Sequence, residues 1–195
     1  MAPRPPLERD AAWSYLLDLL ARRDYTEAEL RSRLARRGVA DDVAEALLGR
    51  LRELGLADDD RFAERYVATR RRARGRLALR GELRRKGVDP ALIEREVGGL
   101  SSQQQVESAV ALLRRFAWRY RPGSASRRAG TRPGAAPSGG GESASGRPAV
   151  ADEAEARRAA LKERARAFAF LARRGFTADV ANDAIAALGW WEEGA

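Results

Sequence analysis

The chain has 195 residues and carries 37 Lys+Arg against 28 Asp+Glu, which gives a formal net charge of +9. It contains no Cys and no His. Their absence excludes disulfides, Cys/His zinc sites, cysteine nucleophiles and histidine-dependent triads. No apolar run approaches the roughly 20 residues of a membrane span, and residues 1–9 lack the apolar core of a secretory signal. We expect a cytoplasmic protein that is not an enzyme and needs no cofactor or metal.

Residues 12–120 are predicted to be helical almost throughout. Trp13, Leu16 and Leu20 lie on one face of a first helix. Thr26 with Glu29 three residues later is a capping box, which predicts the start of the second helix. Similar apolar faces continue along the chain up to a seventh helix, predicted to run without interruption from Val106 to Tyr120. Trp13 and Trp118 are expected in the core.

The helical pattern stops at residue 121 and resumes after residue 150. Gly, Pro and Ser make up 16 of the 30 residues in 121–150. Such a stretch cannot bury enough apolar surface to offset the entropy of ordering it. We expect a flexible, disordered linker here, followed by two further helices.

A short motif, L-x-R-[RK]-G-[VF], occurs three times. Its glycines are Gly38, Gly87 and Gly175, the first two 49 residues apart and the last two 88 apart. We interpret each copy as a helix stop, in which Gly takes the left-handed conformation and the next apolar residue packs on the leucine of the last turn. The extra length before the third glycine is mostly the linker.

The repeat therefore predicts an all-α protein of three tandem three-helix units, elongated and curved, with the linker inside the third unit. We expect a disordered tail at 1–11, unit one at 12–55, unit two at 56–100, the first helix of unit three at 101–120, the linker at 121–150, and the remainder of unit three at 151–195.

Several segments of the chain resemble the RecX family of RecA regulators. They include Leu17–Gly38, Leu51–Asp59, Arg61–Val67, Leu83–Asp89 and Phe170–Phe176, in the order and spacing of that family. The resemblance implies a protein, expected to be a monomer, that binds the RecA–single-stranded DNA filament along its groove. It further implies modulation, mostly inhibition, of the ATPase, strand-exchange and coprotease activities of RecA in recombinational repair and the SOS response. Weak binding to double-stranded DNA stays open.

One segment, residues 70–86, is strongly basic, with nine bases and one acid. Arg binds phosphates and carboxylates bidentately through its planar fork. We predict that this segment contacts filament DNA or acidic patches of the recombinase; the alternative is a solvated helix face in an arginine-rich protein. The predicted filament- and DNA-binding residues are Arg70, Arg71, Arg72, Arg74, Arg76, Arg80, Arg84, Arg85 and Lys86.

A different class of function is a basic helical DNA-binding protein that acts without RecA, either non-specific or related to the helix-turn-helix proteins. The third helices of the units would then read base edges with their N-terminal residues. These helices begin at Asp41-Asp42, Asp89-Pro90 and Thr177-Ala178-Asp179. Carboxylates would be repelled by the phosphates there and are better explained as helix caps.

Two remaining features have structural interpretations. Asp58, Asp59 and Asp60 are predicted to cap a helix, because consecutive helical residues point about 100° apart and do not converge on one metal ion. Trp190 and Trp191 are predicted to fold back over the last helix; the alternative is an interface anchor.

Overall fold

The computed structural model describes residues 7–120 and 149–191 of the chain. These ranges contain helices and turns and no strand, which confirms the all-α prediction. The helices are α1 (Arg9–Leu20), α2 (Glu27–Ala35), α3 (Asp41–Glu53), α4 (Asp59–Arg70), α5 (Arg76–Arg85), α6 (Pro90–Gly98), α7 (Ser102–Arg115), α8 (Ala117–Tyr120), α9 (Ala149–Arg173) and α10 (Ala178–Ala186).

The predicted tail and linker lie largely outside the described residues. The linker prediction, 121–150, falls outside the described residues except for its last two positions, where α9 begins. The N-terminal tail was predicted to end at residue 11, whereas α1 begins at Arg9.

Three hydrophobic clusters correspond to the three predicted units, which we call repeats one, two and three. The first is formed by α1, α2 and α3, with Leu16, Leu30 and Leu47 among its buried residues. The second lies among α4, α5 and α6, and the third joins α7 and α8 to α9 and α10. Each fully buried leucine stabilises its repeat by about 1.5–3 kcal/mol relative to exposure.

The described residues form two compact bodies. The N-terminal body contains residues 7–71 and 76–101, and therefore repeats one and two apart from a short turn. That turn, 72–75, groups with residues 102–120 and 149–191 in the C-terminal body.

Each motif glycine ends a helix in the left-handed conformation. The φ angles of Gly38, Gly87 and Gly175 are 71°, 76° and 80°. At the first, the N–H of Val39 donates to the carbonyl of Leu34 at 3.2 Å and that of Gly38 donates to Ala35 at 3.0 Å. The same two bonds recur at the other two glycines. This is the hydrogen-bond pattern of a Schellman motif.

The capping box at the start of α2 is present. The hydroxyl of Thr26 accepts a hydrogen bond from the backbone N–H of Glu29 at 3.2 Å, and the Glu29 carboxylate accepts one from the N–H of Thr26 at 3.4 Å. Two of the amides that a helix start leaves without partners are thereby satisfied.

The seventh predicted helix is interrupted, contrary to the expectation of one continuous helix. The N–H of Phe116 is shared between the carbonyls of Leu112 and Leu113, at 3.2 and 3.1 Å. This bifurcation tightens the last turn of α7, and α8 begins one residue later, at Ala117. The turn places the ring of Tyr120 4.8 Å from that of Phe170.

The tryptophans divide between buried and exposed positions. Trp118 is 60% exposed, so its assignment to the core is wrong: the break at Phe116 makes Tyr120 the buried residue of α8. Trp13 is half-buried against the first cluster, under the guanidinium of Arg50 at 4.4 Å. Trp190 and Trp191 pack against the third cluster, which agrees with their predicted role as a cover.

Candidate functional site

The nine bases of the predicted surface differ in exposure and in their partners. Arg70, Arg72, Arg84 and Arg85 are exposed, and the other five are half-buried. Arg72 and Arg74 lie in the turn that belongs to the C-terminal body, whereas the other seven belong to the N-terminal body. The structure therefore distributes the basic segment over two bodies.

Arg70, Arg80 and Lys86 form ion pairs with carboxylates of the N-terminal body. Arg80 lies 2.6 Å from Glu94 and Lys86 lies 2.8 Å from Glu29. Arg70 is 3.8 Å from Glu82 and also stacks on the ring of Tyr66. A cation whose charge is matched in this way contributes less to the attraction of an external anion.

Four arginines form no ion pair with any described carboxylate, namely Arg71, Arg72, Arg84 and Arg85. Arg84 and Arg85 lie in the last turn of α5, where the negative end of the helix dipole stabilises positive charge. Leu77, in the first turn of the same helix, is 54% exposed. The outer face of α5 thus combines two accessible guanidinium groups with an accessible apolar side chain.

Lys86 is tied into the contact between repeats one and two. Its backbone carbonyl accepts a 2.6 Å hydrogen bond from the Thr26 hydroxyl, and its ammonium group holds the Glu29 carboxylate. Burial alone would raise the pKa of Glu29, but the hydrogen bond and positive charge of Lys86 outweigh burial and lower it. Lys86 therefore stabilises the fold of the N-terminal body.

A second group of cations lies in the C-terminal body. The guanidinium of Arg174 stacks on the ring of Phe170 at 4.9 Å. Its pKa is lowered by burial and by the positive charges of Arg74 and Arg115. Arg74 is thus close enough to Arg174 to raise the local positive potential.

The three consecutive aspartates have three different partners. Asp58 caps α4 by accepting from the N–H of Arg61 at 3.0 Å. Asp59 accepts from the backbone N–H of Glu27 at 2.9 Å, and Asp60 pairs with Arg95. Their carboxylates do not converge, which agrees with the capping interpretation, and no group of three or more metal-ligating side chains occurs in the part of the chain that the structure describes.

The third helix of each repeat begins with acidic residues, as predicted. Asp89 caps α6 by accepting from the N–H groups of Ala91 and Leu92, at 2.8 and 3.4 Å. Asp41 and Asp42 lie in the first turn of α3, and Asp179 in that of α10. Carboxylates at these positions disfavour insertion of the same helix ends beside DNA phosphates.

Among the described helices, none is long and apolar enough to cross a membrane.

The chain matches two sequence profiles of one family. The profile described as "RecX, first three-helix domain" covers residues 12–51, and the one described as "RecX, second three-helix domain" covers residues 58–95. These ranges correspond to repeats one and two of the structure.

Curated relatives named "Regulatory protein RecX" match a similar part of the chain. The protein of Mycolicibacterium vanbaalenii is 42% identical over 107 residues, covering 54% of this chain and 58% of its own. That of Amycolatopsis mediterranei is 40% identical over 117 residues, covering 58% and 67%. That of Thermobifida fusca is 45% identical over 101 residues, covering 51% and 55%. The matched region thus spans between about half and two thirds of each relative's length.

Two solved structures share the fold. The crystal structure of RecX from Lactobacillus salivarius superposes with a TM-score of 0.65 at 19% identity, covering 92% of this chain and 96% of that one. A second crystal structure, of a regulatory protein RecX, gives a TM-score of 0.58 at 22% identity, with coverage of 89% and 71%. With the profile matches and the Amycolatopsis relative, these results show that the chain belongs to the RecX family of regulatory proteins.

Proposed function

We propose that this protein regulates the RecA recombinase by binding the RecA–single-stranded DNA filament. The observation that carries the proposal is family membership, established over repeats one and two. The expected outcome is modulation, mostly inhibition, of the ATPase, strand-exchange and coprotease activities of RecA, and hence of recombinational repair and the SOS response in the cytoplasm.

The proposed mechanism is occupancy of the filament groove by a monomer with a basic surface. Binding would restrain the movements that accompany ATP turnover in RecA. This mechanism requires no catalytic group or cofactor of the regulator, because the ATPase would belong to the recombinase. Accessible arginines are suited to the task, since their planar forks bind phosphates and carboxylates bidentately.

Within the predicted basic surface we assign the main contact to Arg71, Arg84 and Arg85, which all belong to the N-terminal body. These three have no described carboxylate as a partner, whereas Arg70, Arg80 and Lys86 form ion pairs. Charge that is not matched within the protein remains available to attract the filament.

The assignment is tested by co-sedimentation of the protein with RecA filaments across a range of salt concentrations. We call Arg71 and Arg85 the second-repeat pair. The test variant changes both of these arginines to Gln and is named after the pair. The control carries Arg31→Gln and Arg80→Gln, called the ion-paired control, because these arginines contact Glu45 and Glu94. Both variants lose two positive charges from the N-terminal body.

We expect the second-repeat pair to weaken filament binding and to flatten its salt dependence, and the ion-paired control to change the salt dependence much less. Equal salt dependence of the wild type and the second-repeat pair, with unchanged circular dichroism, would contradict the assignment. A DNA-binding protein that acts without RecA would instead bind bare DNA as tightly as it binds the filament.

A further inference from the structure

The basic segment has a counterpart one repeat earlier in the chain. Shifting residues 70–86 by the 49-residue spacing of Gly38 and Gly87 gives residues 21–37, which contain six arginines and three carboxylates. In this register Arg71 corresponds to Arg22 and Arg85 to Arg36.

The two arginines of each pair lie at opposite ends of the second helix of their repeat. Arg22 is in the turn between α1 and α2, and Arg36 directly follows α2. Arg71 and Arg85 occupy the matching positions around α5, where Arg85 is the last helical residue. The local framework is the same because both helices end in the same glycine-capped turn.

Arg22 and Arg36, which we call the first-repeat pair, are exposed. Neither forms an ion pair with a described carboxylate. Arg36 donates one hydrogen bond, from Nε to the carbonyl of Ser32 at 3.2 Å in its own helix. This bond uses one of the five donors of the guanidinium group, and the remaining donors stay available to a ligand.

Another two arginines at equivalent positions are ion-paired in both repeats, so the lack of a described carboxylate partner is a property of particular register positions. Arg31 and Arg80 are also 49 residues apart, and each lies 2.6 Å from a carboxylate of the next helix, Glu45 and Glu94 respectively. At these three register positions both repeats therefore have one ion-paired arginine together with two that have no described carboxylate as a partner.

One further cation increases the positive charge of the first repeat. The guanidinium groups of Arg23 and Arg33 both lie over the ring of Tyr25, at 3.8 and 4.9 Å from its centroid. Arg23 is also 3.7 Å from the Glu29 carboxylate, whereas Arg33 forms no ion pair with a described carboxylate. Stacking holds a guanidinium in place while its N–H edge can still bind an anion. The position of Arg33 is occupied by Glu82 in the second repeat, so the first repeat has the more positive side chain there.

The position of each pair indicates the kind of ligand. One arginine of each pair lies in the turn before the second helix, and the other lies at the end of that helix. Two guanidinium groups at separate places suit a ligand that carries a row of phosphates, because each planar fork can bind one phosphate bidentately. We propose that the first-repeat pair binds the phosphodiester backbone of single-stranded DNA, as a second contact equivalent to that of the second-repeat pair. This rests on the proposed function, which it extends from one repeat to two.

The test uses the full chain and a fluorescent oligo(dT) strand without RecA. Dissociation constants are measured against salt concentration for the wild type, the first-repeat pair changed to Gln, the second-repeat pair, and the ion-paired control. We expect each of the two pairs to reduce the slope of log K against log salt by about 1.4, since each lost contact with a single strand contributes about 0.7. The ion-paired control should leave the slope close to that of the wild type.

The remaining outcomes overturn the inference. A slope that falls for the second-repeat pair and stays unchanged for the first-repeat pair would confine the DNA contact to repeat two. An equal fall in the control would show a non-specific effect of net charge. If changing the first-repeat pair to Gln abolishes filament binding but leaves oligo(dT) binding unchanged, the first-repeat pair contacts protein in the filament. Failure of the wild type to bind oligo(dT) would lead to the same assignment. Inhibition of RecA is measured separately and can persist in each of these cases.

Discussion

The glycine-capped turn of the repeat accepts a hydrogen bond from a side chain in the N-terminal body and from the backbone in the C-terminal body. In the N-terminal body, the carbonyl of Lys86 accepts from the side chain of Thr26. In the C-terminal body, the equivalent carbonyl of Arg174 accepts from the backbone N–H of Gly75, at 2.9 Å. Thr26 and Gly75 are 49 residues apart and occupy the same position in their repeats.

This comparison shows that one docking contact can be built from side chains or from backbone alone. The contact at Thr26 is surrounded by the Glu29–Lys86 ion pair, so single substitutions there should have graded effects. The contact at Gly75 leaves no room for a side chain, because an added Cβ would lie 2.2 Å from the carbonyl oxygen of Gly175. Substitution there should have the larger effect.

The largest expected effect is therefore that of Gly75→Val. The new side chain would collide with the backbone of the α9–α10 turn, which cannot move away as a flexible side chain can. We expect a loss of about 3 kcal/mol or more in the free energy of unfolding, at or above the upper end of typical overpacking costs. Urea unfolding followed by circular dichroism measures it.

Gly49→Ala is the matched control for Gly75→Val. Gly49 lies inside α3, and an added Cβ would have no neighbour within 4 Å. We expect it to stabilise the protein by about 0.5–1 kcal/mol, because alanine is the better helix former. A Gly75→Val variant as stable as the wild type would show that the close backbone contact is not required.

The next effect separates conformational strain from steric contact at two capping glycines. Gly55 and Gly87 both have positive φ, 63° and 76°, but only Gly87 has a neighbour close to its Cβ position, the Ala28 Cβ at 2.3 Å. Gly55→Ala should cost about 1–2 kcal/mol through strain alone. Gly87→Ala should cost more, and in an Ala28→Gly background its cost should fall to that of Gly55→Ala.

Asparagine sharpens this test because it tolerates the left-handed conformation. At Gly55 we expect Asn to be milder than Ala and Val to be the most damaging. At Gly87 the advantage of Asn should disappear, since its side chain meets Ala28. Melting temperatures of the two series measure the order, and the same order at both glycines would contradict the role assigned to Ala28.

A smaller effect is expected at the side-chain contact. Thr26→Ala removes the N-cap of α2 and the hydrogen bond to Lys86, and should cost about 1–2 kcal/mol. Thr26→Ser keeps the hydroxyl and should restore most of the stability. Chemical unfolding of the two variants decides the point; equal losses in both would show that the methyl group of Thr26, rather than its hydroxyl, carries the contact.

The smallest effect is a pH dependence of the same contact. The pKa of Glu29 is lowered by Lys86 despite its burial, so the stabilisation is complete above the unfolded-state pKa and is lost as the pH falls through the lower folded-state value. Glu29→Gln should flatten the decrease in stability at acidic pH. Unfolding curves at several acidic pH values measure the slope.

The pKa of Asp59 is shifted in the opposite direction to that of Glu29. Burial raises its pKa in the folded protein, so its contribution is largest below the unfolded-state pKa and decreases as the pH rises through the folded-state value. Asp59→Asn, which keeps an acceptor for the N–H of Glu27, should therefore not reproduce the flattening expected from Glu29→Gln. An identical acid dependence in the two variants would argue against an effect specific to the Lys86 ion pair.

Much of the fold followed from local sequence rules. The three glycine turns and the capping box depend on a few adjacent residues, and their residue types were sufficient to predict helix ends. The break at Phe116 was not predictable in this way, because it depends on packing against Phe170, more than 50 residues away in the chain. The exposure of Trp118 follows from that break and was missed for the same reason.

The candidate site was less predictable than the fold. A count of bases identified residues 70–86, but could not show that Lys86 and Arg80 face Glu29 and Glu94, since those pairs form between helices. The first-repeat arginines were missed although a signal was present. The 49-residue register that relates Gly38 to Gly87 also relates Arg22 and Arg36 to the basic segment.

The central claim is that this protein regulates RecA, and the single-stranded-DNA-dependent ATPase rate of RecA tests it most directly. The rate is measured with increasing amounts of the wild type, the second-repeat pair and the ion-paired control. We predict that the wild type and the control lower the rate and that the second-repeat pair lowers it only at higher concentration. An ATPase rate that stays unchanged up to a large excess of the wild type would contradict the account.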